Sequence, residues 1–426
     1  MRRLLRLVGL LLAVSTVPAM AADPLPRGTP ASVGMSAERL ARIGEALRAE
    51  VERNRLPGAV MAIARRGRLV HYEAVGFLDR ERGTPMTTDA IFALASMTKP
   101  MTGVAALALL EEGKLALGDP VGRFLPPLGQ MRVAVLNEAV ASGQGPVETV
   151  PARRQMTVLD LMRHTSGLTY GGRGTTAVHK MYPASSNWSA DNRTAEQFVE
   201  RLAGLPLLHQ PGTVWDYGLS TDVLGLVVER ISGQKLGAFL EERVFRPLGM
   251  NDTGFTVPPE RRARLARALP ADPDTGRPQS VPARAEGARF VCGGGCALST
   301  AGDYLRFAQM LLNGGHLGEA HVLGPRTVAM MATDHMTPDV RPGVGATDPT
   351  REGYGFGLTV AVRPATGGQN ILGNPGDFSW SGAFGTTFWV DPKDELAVVF
   401  MAQAPGLIRQ HYRRLINSLV YQAIVD

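Results

Sequence analysis

Apolar residues recur at helical spacing between Ser36 and Val51, with Leu40, Ile43, Leu47 and Val51 on one stripe. That is the period of an amphipathic helix. Two apolar runs follow, Gly58 to Ala64 and Leu69 to Val75, on either side of Arg65-Arg66-Gly67-Arg68. Their spacing predicts a β-hairpin. The far end of the chain mirrors this. Gly385 to Val390 and Leu396 to Met401 flank Asp391-Pro392-Lys393-Asp394 as a second hairpin, and Tyr354 to Val362 supplies a further strand. A closing helix has Ile408, Tyr412, Leu415, Leu419 and Val420 among its apolar positions. The economical arrangement is one antiparallel sheet built from both ends of the chain, with both terminal helices on one face.

The middle reads differently. Helical patterns run over Thr102 to Glu112, Thr157 to Arg163, Ala195 to Leu202, Thr221 to Ser232, Leu236 to Phe245 and Ala301 to Leu312, joined by long loops rich in Gly, Pro and Arg. The expected fold class is therefore α/β (α+β). An antiparallel sheet domain, residues 22–100 and 350–426, carries a large, mainly helical domain, residues 101–349, with the active site between the two.

Charge enters first at the N-terminus. Arg2, Arg3 and Arg6 precede the mostly apolar run Leu7 to Val17 and then Pro18-Ala19-Met20-Ala21. A basic start, a short apolar run and an Ala-x-Ala site describe a secretory signal peptide, residues 1–21, cleaved after Ala21. The run is too short to remain as a membrane anchor, so export to a periplasm or beyond is expected. The formal charge of +6, from 45 Lys+Arg against 39 Asp+Glu, then falls to +3 with the three leader arginines gone. So small an excess offers nothing to a nucleic-acid partner. Two cysteines cannot build a disulfide scaffold or a zinc ribbon. In an oxidising compartment Cys292 and Cys296, separated by three glycines, are candidates for a small-loop disulfide.

The common catalytic signatures are missing. There is no Gly-x-Ser-x-Gly, no His-Glu-x-x-His and no phosphate-binding glycine loop before a helix, which speaks against an α/β-hydrolase elbow and a metal hydrolase. His164 lies at a helix-to-loop junction and reads as a turn-fixing residue. What does appear is Ser96-Met97-Thr98-Lys99, and the same spacing recurs at Ser232-Gly233-Gln234-Lys235. Context separates the two. Pro100 belongs in the first turn of a helix, which puts Ser96 at a helix N-terminus, where developing negative charge is favoured. Lys99 then shares its face. Burial between apolar segments lowers an amine's proton affinity and lets it act as a base towards a hydroxyl. The plainer alternative makes Ser96 a helix cap and leaves Lys99 reaching for solvent. Ser232 and Lys235 join two amphipathic helices and read as a cap and a surface cation.

Two further segments bear on this choice. Tyr217, in Trp215-Asp216-Tyr217-Gly218-Leu219-Ser220, stands at the entry of an apolar helix, where it either simply packs or delivers a phenol to Ser96 as a proton relay. Phe378-Ser379-Trp380-Ser381-Gly382-Ala383 leads into the strand Gly385 to Val390, an edge suited to lining a cleft. Tyr170 is read as surface packing, with a place in the acyl pocket as the alternative. With Gly113-Lys114-Leu115, His164-Thr165-Ser166-Gly167-Leu168, Pro247-Leu248-Gly249-Met250 and Leu298-Ser299-Thr300-Ala301-Gly302-Asp303-Tyr304 in this order, nearly the whole mature chain resembles the serine β-lactamase/penicillin-binding-protein superfamily. The resemblance is to its branch of family VIII carboxylesterases and class C β-lactamase-like hydrolases.

The resemblance implies Ser96 as the acylated nucleophile, Lys99 as its partner and Tyr217 as general base or acid, with the proton's first acceptor open between the last two. It implies an oxyanion hole from the backbone N–H groups of Ser96 and Ala383, and no metal or organic cofactor. Departures from the β-lactamase pattern carry the substrate information. Leu219 stands where that pattern has Asn, and Trp380-Ser381-Gly382 replaces a Lys-Thr-Gly whose cation reads a substrate carboxylate. Leu219, Trp380, Ser381 and Gly382 are thus expected to bind substrate, in a site suited to a neutral ester. The expected function is a serine carboxylesterase acting on short-to-medium-chain esters, with weak β-lactam turnover open. The alternatives are a β-lactamase, a D-amino-acid peptidase or a transacylase, and, from another class, a non-catalytic penicillin-binding or sensing module.

Overall fold

The computed structural model describes residues 23–186, 193–282, 289–340 and 343–426. The signal-peptide segment, residues 1–21, lies outside them. The first helix, α1 (Ala37–Glu52), begins where Ser36 accepts the Arg39 N–H at 3.3 Å, a side-chain N-cap. The first hairpin forms as β1 (Gly58–Arg65) and β2 (Arg68–Asp79). With β3 (Thr84–Pro85), β4 (Gly355–Phe356), β5 (Ala361–Val362), β6 (Phe378–Ser381), β7 (Thr387–Asp391) and β8 (Leu396–Ala402) it makes one eight-stranded sheet. The strand order is β4-β5-β6-β7-β8-β1-β2-β3, and every pairing is antiparallel. The two chain ends meet in the centre, where Ala59 lies opposite Ala402 and Arg65 opposite Leu396.

Alternation along the central strands feeds two cores. Ala59, Met61 and Ile63 with Val398 and Phe400 pack under Ile43 and Leu47 of α1 and under Tyr412 and Ile416 of the closing helix, α5 (Ile408–Tyr421). Both terminal helices therefore share one face. Ile416 takes the central place in α5, and Leu415 and Leu419 are only half-buried. Val60, Ala62, Val399 and Met401 point to the other face, which is covered by α4 (Ala301–Leu312).

Several elements depart from the sequence pattern. Tyr354 to Val362 is no single strand: it turns back at Gly357, whose N–H bonds the Val360 carbonyl at 2.8 Å, so β4 and β5 form a hairpin. Phe378–Ser381 is a strand in its own right, paired with β5 on one side and β7 on the other, and not an edge. Leu236–Leu240 is α-helical and continues as a π-helical turn, Glu241–Phe245. No helix among the described residues is long and apolar enough to cross a membrane.

Candidate active site

Helix α2 (Thr98–Glu111) is buried on nearly every side. A single 3-10 turn, Ala95–Met97, leads directly into it and carries Ser96. Ala95 adopts φ +47°, a left-handed conformation that costs a non-glycine residue about 1 kcal/mol. The surroundings hold it there. Thr98 Oγ1 donates to the Ala95 carbonyl at 2.7 Å and accepts the Ala297 N–H at 3.0 Å, while the Tyr304 hydroxyl donates to the Met97 carbonyl at 2.8 Å. Met97, not Ser96, occupies the cap position of α2, with no side-chain cap bond. Lys99 is fully buried and does not reach solvent. The helix-cap alternative is therefore absent at this Ser-x-x-Lys.

Lys99 differs from the expectation in its surroundings, which are oxygen-rich and not simply apolar. Its Nζ donates to the Gly294 carbonyl at 2.6 Å, to Tyr170 Oη at 3.3 Å and to Ser96 Oγ at 3.4 Å. Tyr217 brings its ring centroid to 4.6 Å from that nitrogen, and the Trp380 indole N–H donates to the Tyr217 oxygen at 3.3 Å. Four distant segments, carrying Tyr170, Tyr217, Gly294 and Trp380, thus converge on the α2 entrance. His164, itself at φ +56°, supports the Tyr217 turn. Its carbonyl accepts the Asp216 N–H at 2.9 Å, its Nδ1 accepts the Gly218 N–H at 3.5 Å, and its ring lies 4.7 Å from that of Tyr217. Burial holds its imidazole well below the usual histidine range, with Lys99 and Arg173 adding repulsion.

Gly382 brings β6 against the nucleophile turn. A Cβ there would stand 2.1 Å from the Leu94 carbonyl oxygen, so only glycine allows the approach. Its N–H is taken by the Thr386 carbonyl at 2.8 Å, which makes Ala383 the next backbone N–H on the cavity wall. Ser96, Tyr217, Trp380, Ser381, Gly382 and Ala383 all line one cavity of about 330 Å³. The hydroxyls of Ser381 and Thr387 bond at 2.8 Å. Leu219 does not line the cavity. The chain enters α3 (Ser220–Ser232) immediately after it, and that turn drives its side chain into the core.

This cluster stands on a sheet with helices on both faces, and a family model described as Beta-lactamase matches residues 43–421. The chain belongs to the beta-lactamase family. Within that family its likeness is to the family VIII type of esterase. Esterase EstB of Burkholderia gladioli is 32% identical over 384 residues, covering 86% of this chain and 91% of that one. The lovastatin esterase of Penicillium rubens is 30% identical over 388 residues, covering 84% and 91%. Among solved structures, EstCE1, described as a hydrolase with promiscuous acyltransferase activity, superimposes with a TM-score of 0.72 at 27% identity, covering 90% of this chain and 99% of its own.

In this beta-lactamase-family chain several site residues were not apparent from the sequence. Tyr170 is no surface residue. It is buried beside Lys99, its hydroxyl bonds Ser186, and Ser186 Oγ donates to Asp222 Oδ2 at 2.8 Å. Burial, with Asp222 and Tyr217 adding to it, raises the Tyr170 phenol well above its ordinary range. Burial also pushes the Asp222 carboxyl up, against Lys99, Ser186 and the Gly294 N–H, which bonds Oδ1 at 3.2 Å. Asp222 lies in the first turn of α3, where an acid is ordinary, so the sequence does not single it out. Cys292 and Cys296 are disulfide-bonded, with Cα atoms 5.4 Å apart, and enclose the Gly294 whose carbonyl holds Lys99.

The replacement of a motif lysine by Trp380 does not leave the cavity without cations. Arg173, Arg351, Arg409 and Arg413 line it, and none of them belongs to the third motif. Among the described residues no group of three or more His, Cys, Asp or Glu side chains is placed to hold a metal ion.

Proposed function

We propose that this chain is a serine carboxylesterase that works through an acyl-enzyme on Ser96. The observation carrying the reading is the convergence of Ser96, Lys99 and Tyr217 at one end of a cavity whose wall holds Trp380 and Ala383. Lys99 Nζ lies within hydrogen-bond distance of three oxygens, Ser96 Oγ among them. The pair's other polar atom is the Tyr217 oxygen, beside the Trp380 indole N–H. Lys99 and Tyr217 act as one coupled unit. Ser96 Oγ bonds to the ester carbonyl carbon as its proton passes to the Lys99–Tyr217 pair. The carbonyl oxygen takes up the negative charge, and the N–H groups of Ser96 and Ala383 stabilise it. Collapse breaks the carbon–oxygen bond to the alcohol, which leaves with the proton held by that pair. Water then repeats the sequence on the acyl-enzyme and releases the acid.

The esterase relatives support this chemistry over β-lactam hydrolysis, and parallel assays with a butyrate aryl ester and a chromogenic cephalosporin rank the two. We expect the larger kcat/KM for the ester; the reverse order makes the chain a β-lactamase. Wild-type ester hydrolysis by Ser96→Ala removes the reading altogether. Acyl transfer to an alcohol is the same second step with a different acceptor, and the acyltransferase activity named for EstCE1 favours testing it by adding alcohol to the assay. The reading extends to export, supported by the N-terminal pattern and by a disulfide that an oxidising compartment preserves. Mature protein starting at Ala22 is the expected result of N-terminal sequencing.

A further inference from the structure

The cavity beside Ser96 is over-supplied with positive charge. Four guanidinium groups line it, and Asp348 is the one acid among its described lining residues. Two of the four are spent on that acid. Arg351 pairs with Asp348 Oδ2 and also donates to Ser379 Oγ at 2.9 Å and to Thr387 Oγ1 at 3.5 Å. Arg413 bonds the same Oδ2 at 2.9 Å and the Gly382 carbonyl at 2.7 Å. The other two have no carboxylate within ion-pair distance among the described residues. Arg409 donates one nitrogen to the carbonyls of Pro405 and Gly406, at 2.7 and 2.8 Å. Arg173 makes a 3.5 Å contact to the Ala346 carbonyl, and its buried Nε has no partner. Asp348 and, more weakly, Asp272 attract Arg409 without pairing with it, and Asp216 attracts Arg173; of these only Asp348 lines the cavity, and its Oδ2 is already held by Arg351 and Arg413.

Like charges gathered with little solvent and too few counter-charges repel. Arg413 shows the strain: burial, with Arg351 and Arg409 adding to it, pushes its guanidinium down to about 10 despite Asp348. Arg409 is lowered as well, again chiefly by burial. An anion entering the cavity would relieve this, and a guanidinium with unused N–H groups binds a carboxylate through charge-assisted hydrogen bonds.

We propose that the substrate is an ester carrying a carboxylate, bound by Arg409 and Arg173 in the cavity that holds Ser96. The inference rests on the esterase reading for the word ester, while its physical content, recognition of an anion, stands apart from catalysis. Three amides that an esterase leaves intact separate the two: butyranilide, glutaric acid monoanilide with a carboxylate on the acyl side, and 4-(butyrylamino)phenylacetate with one on the alcohol side. Binding of each to the full chain is measured by calorimetry at low and high salt. We expect one of the two anions to bind at least about tenfold more tightly than the neutral amide, the factor that one modest charge-assisted contact provides. The advantage should shrink at high salt. It should fall towards one in Arg409→Met and in Arg173→Met, whereas mere loosening of the fold would weaken all three amides alike. Equal binding of all three by the wild-type chain overturns the proposal, and so does an anion advantage that survives in both variants. Failure to hydrolyse phenyl butyrate would count against the esterase reading alone.

Discussion

Ser96-x-x-Lys99 and Ser232-x-x-Lys235 have the same spacing, and both serines adjoin a helix terminus. Ser232 ends α3, where its hydroxyl donates back to the Val228 carbonyl at 2.7 Å and accepts the Gln234 N–H at 3.2 Å. Lys235 lies in solvent, 3.3 Å from Glu229. Ser96 opens α2 with its hydroxyl towards a cavity, and Lys99 is fully buried among a carbonyl and two hydroxyls. A serine whose oxygen is occupied by its own backbone has nothing left for chemistry. A lysine in water has no fixed direction. The pair becomes chemical through its surroundings, which the four-residue spacing does not specify.

The sharpest way to break this contrast is paired substitution. Ser96→Ala should cost at least about 10³-fold in ester kcat, and Ser232→Ala should leave kcat within error of wild type. Equal losses would mean that the surroundings do not decide. Next in size, Lys99→Met should lower kcat by about 10²-fold or more, while Lys235→Met removes only a surface ion pair, generally worth under about 1 kcal/mol of stability.

The disulfide sharpens the comparison further, because only the buried lysine depends on it. Cys292→Ser with Cys296→Ser releases the loop that presents the Gly294 carbonyl to Lys99, and kcat should fall by up to about 10²-fold with KM little changed, the cost that misplacement by an ångström can reach. A fall in thermal stability with unchanged kcat would reduce the bridge to a staple. Acid offers a gentler probe. Burial pushes the Asp348 carboxyl up, but Arg413 and Arg351 outweigh it and hold it below the usual carboxylate range. Its depressed value means that its contribution is fully present above an unfolded Asp value of about 4 and drains away as pH falls further. Asp348→Asn should therefore flatten the acid limb of a plot of Tm against pH. The smallest effect belongs to the surface copy, where Ser232→Ala should lower stability by about 1 kcal/mol through its lost hydrogen bonds.

The elements were legible where one period dominates. Ala301–Leu312 emerged with the bounds its pattern gave, and both hairpins lie where apolar runs flank turns. Tyr354 to Val362 misled because its apolar run passes through Thr359, whose φ of +71° belongs to a turn. In the site, Ser96, Lys99, Tyr217 and Trp380 were readable from motifs. The groups that hold them were not: Tyr170 and Gly294 meet Lys99 from 71 and 195 residues away, and no local pattern encodes such a meeting. Leu219 failed for a local reason. Analogy put it at the substrate, but the start of α3 turns it inward. The arginines failed for another: with 45 cations spread through the chain, the four that share a cavity cannot be told apart before folding.

The pairing of β1 with β8 also sets an order of events. Residues 58–65 emerge early in synthesis, yet one of their two sheet neighbours is residues 396–402. A ribosome must therefore reach residue 402 before the sheet's middle can close, and loop closure over more than three hundred residues is slow. Until then a growing chain carries that β1 edge unpaired, open to chaperones and to misplaced strands. Loss of the final thirty or so residues would remove both β8 and α5, and the N-terminal hairpin would then have no sheet to join.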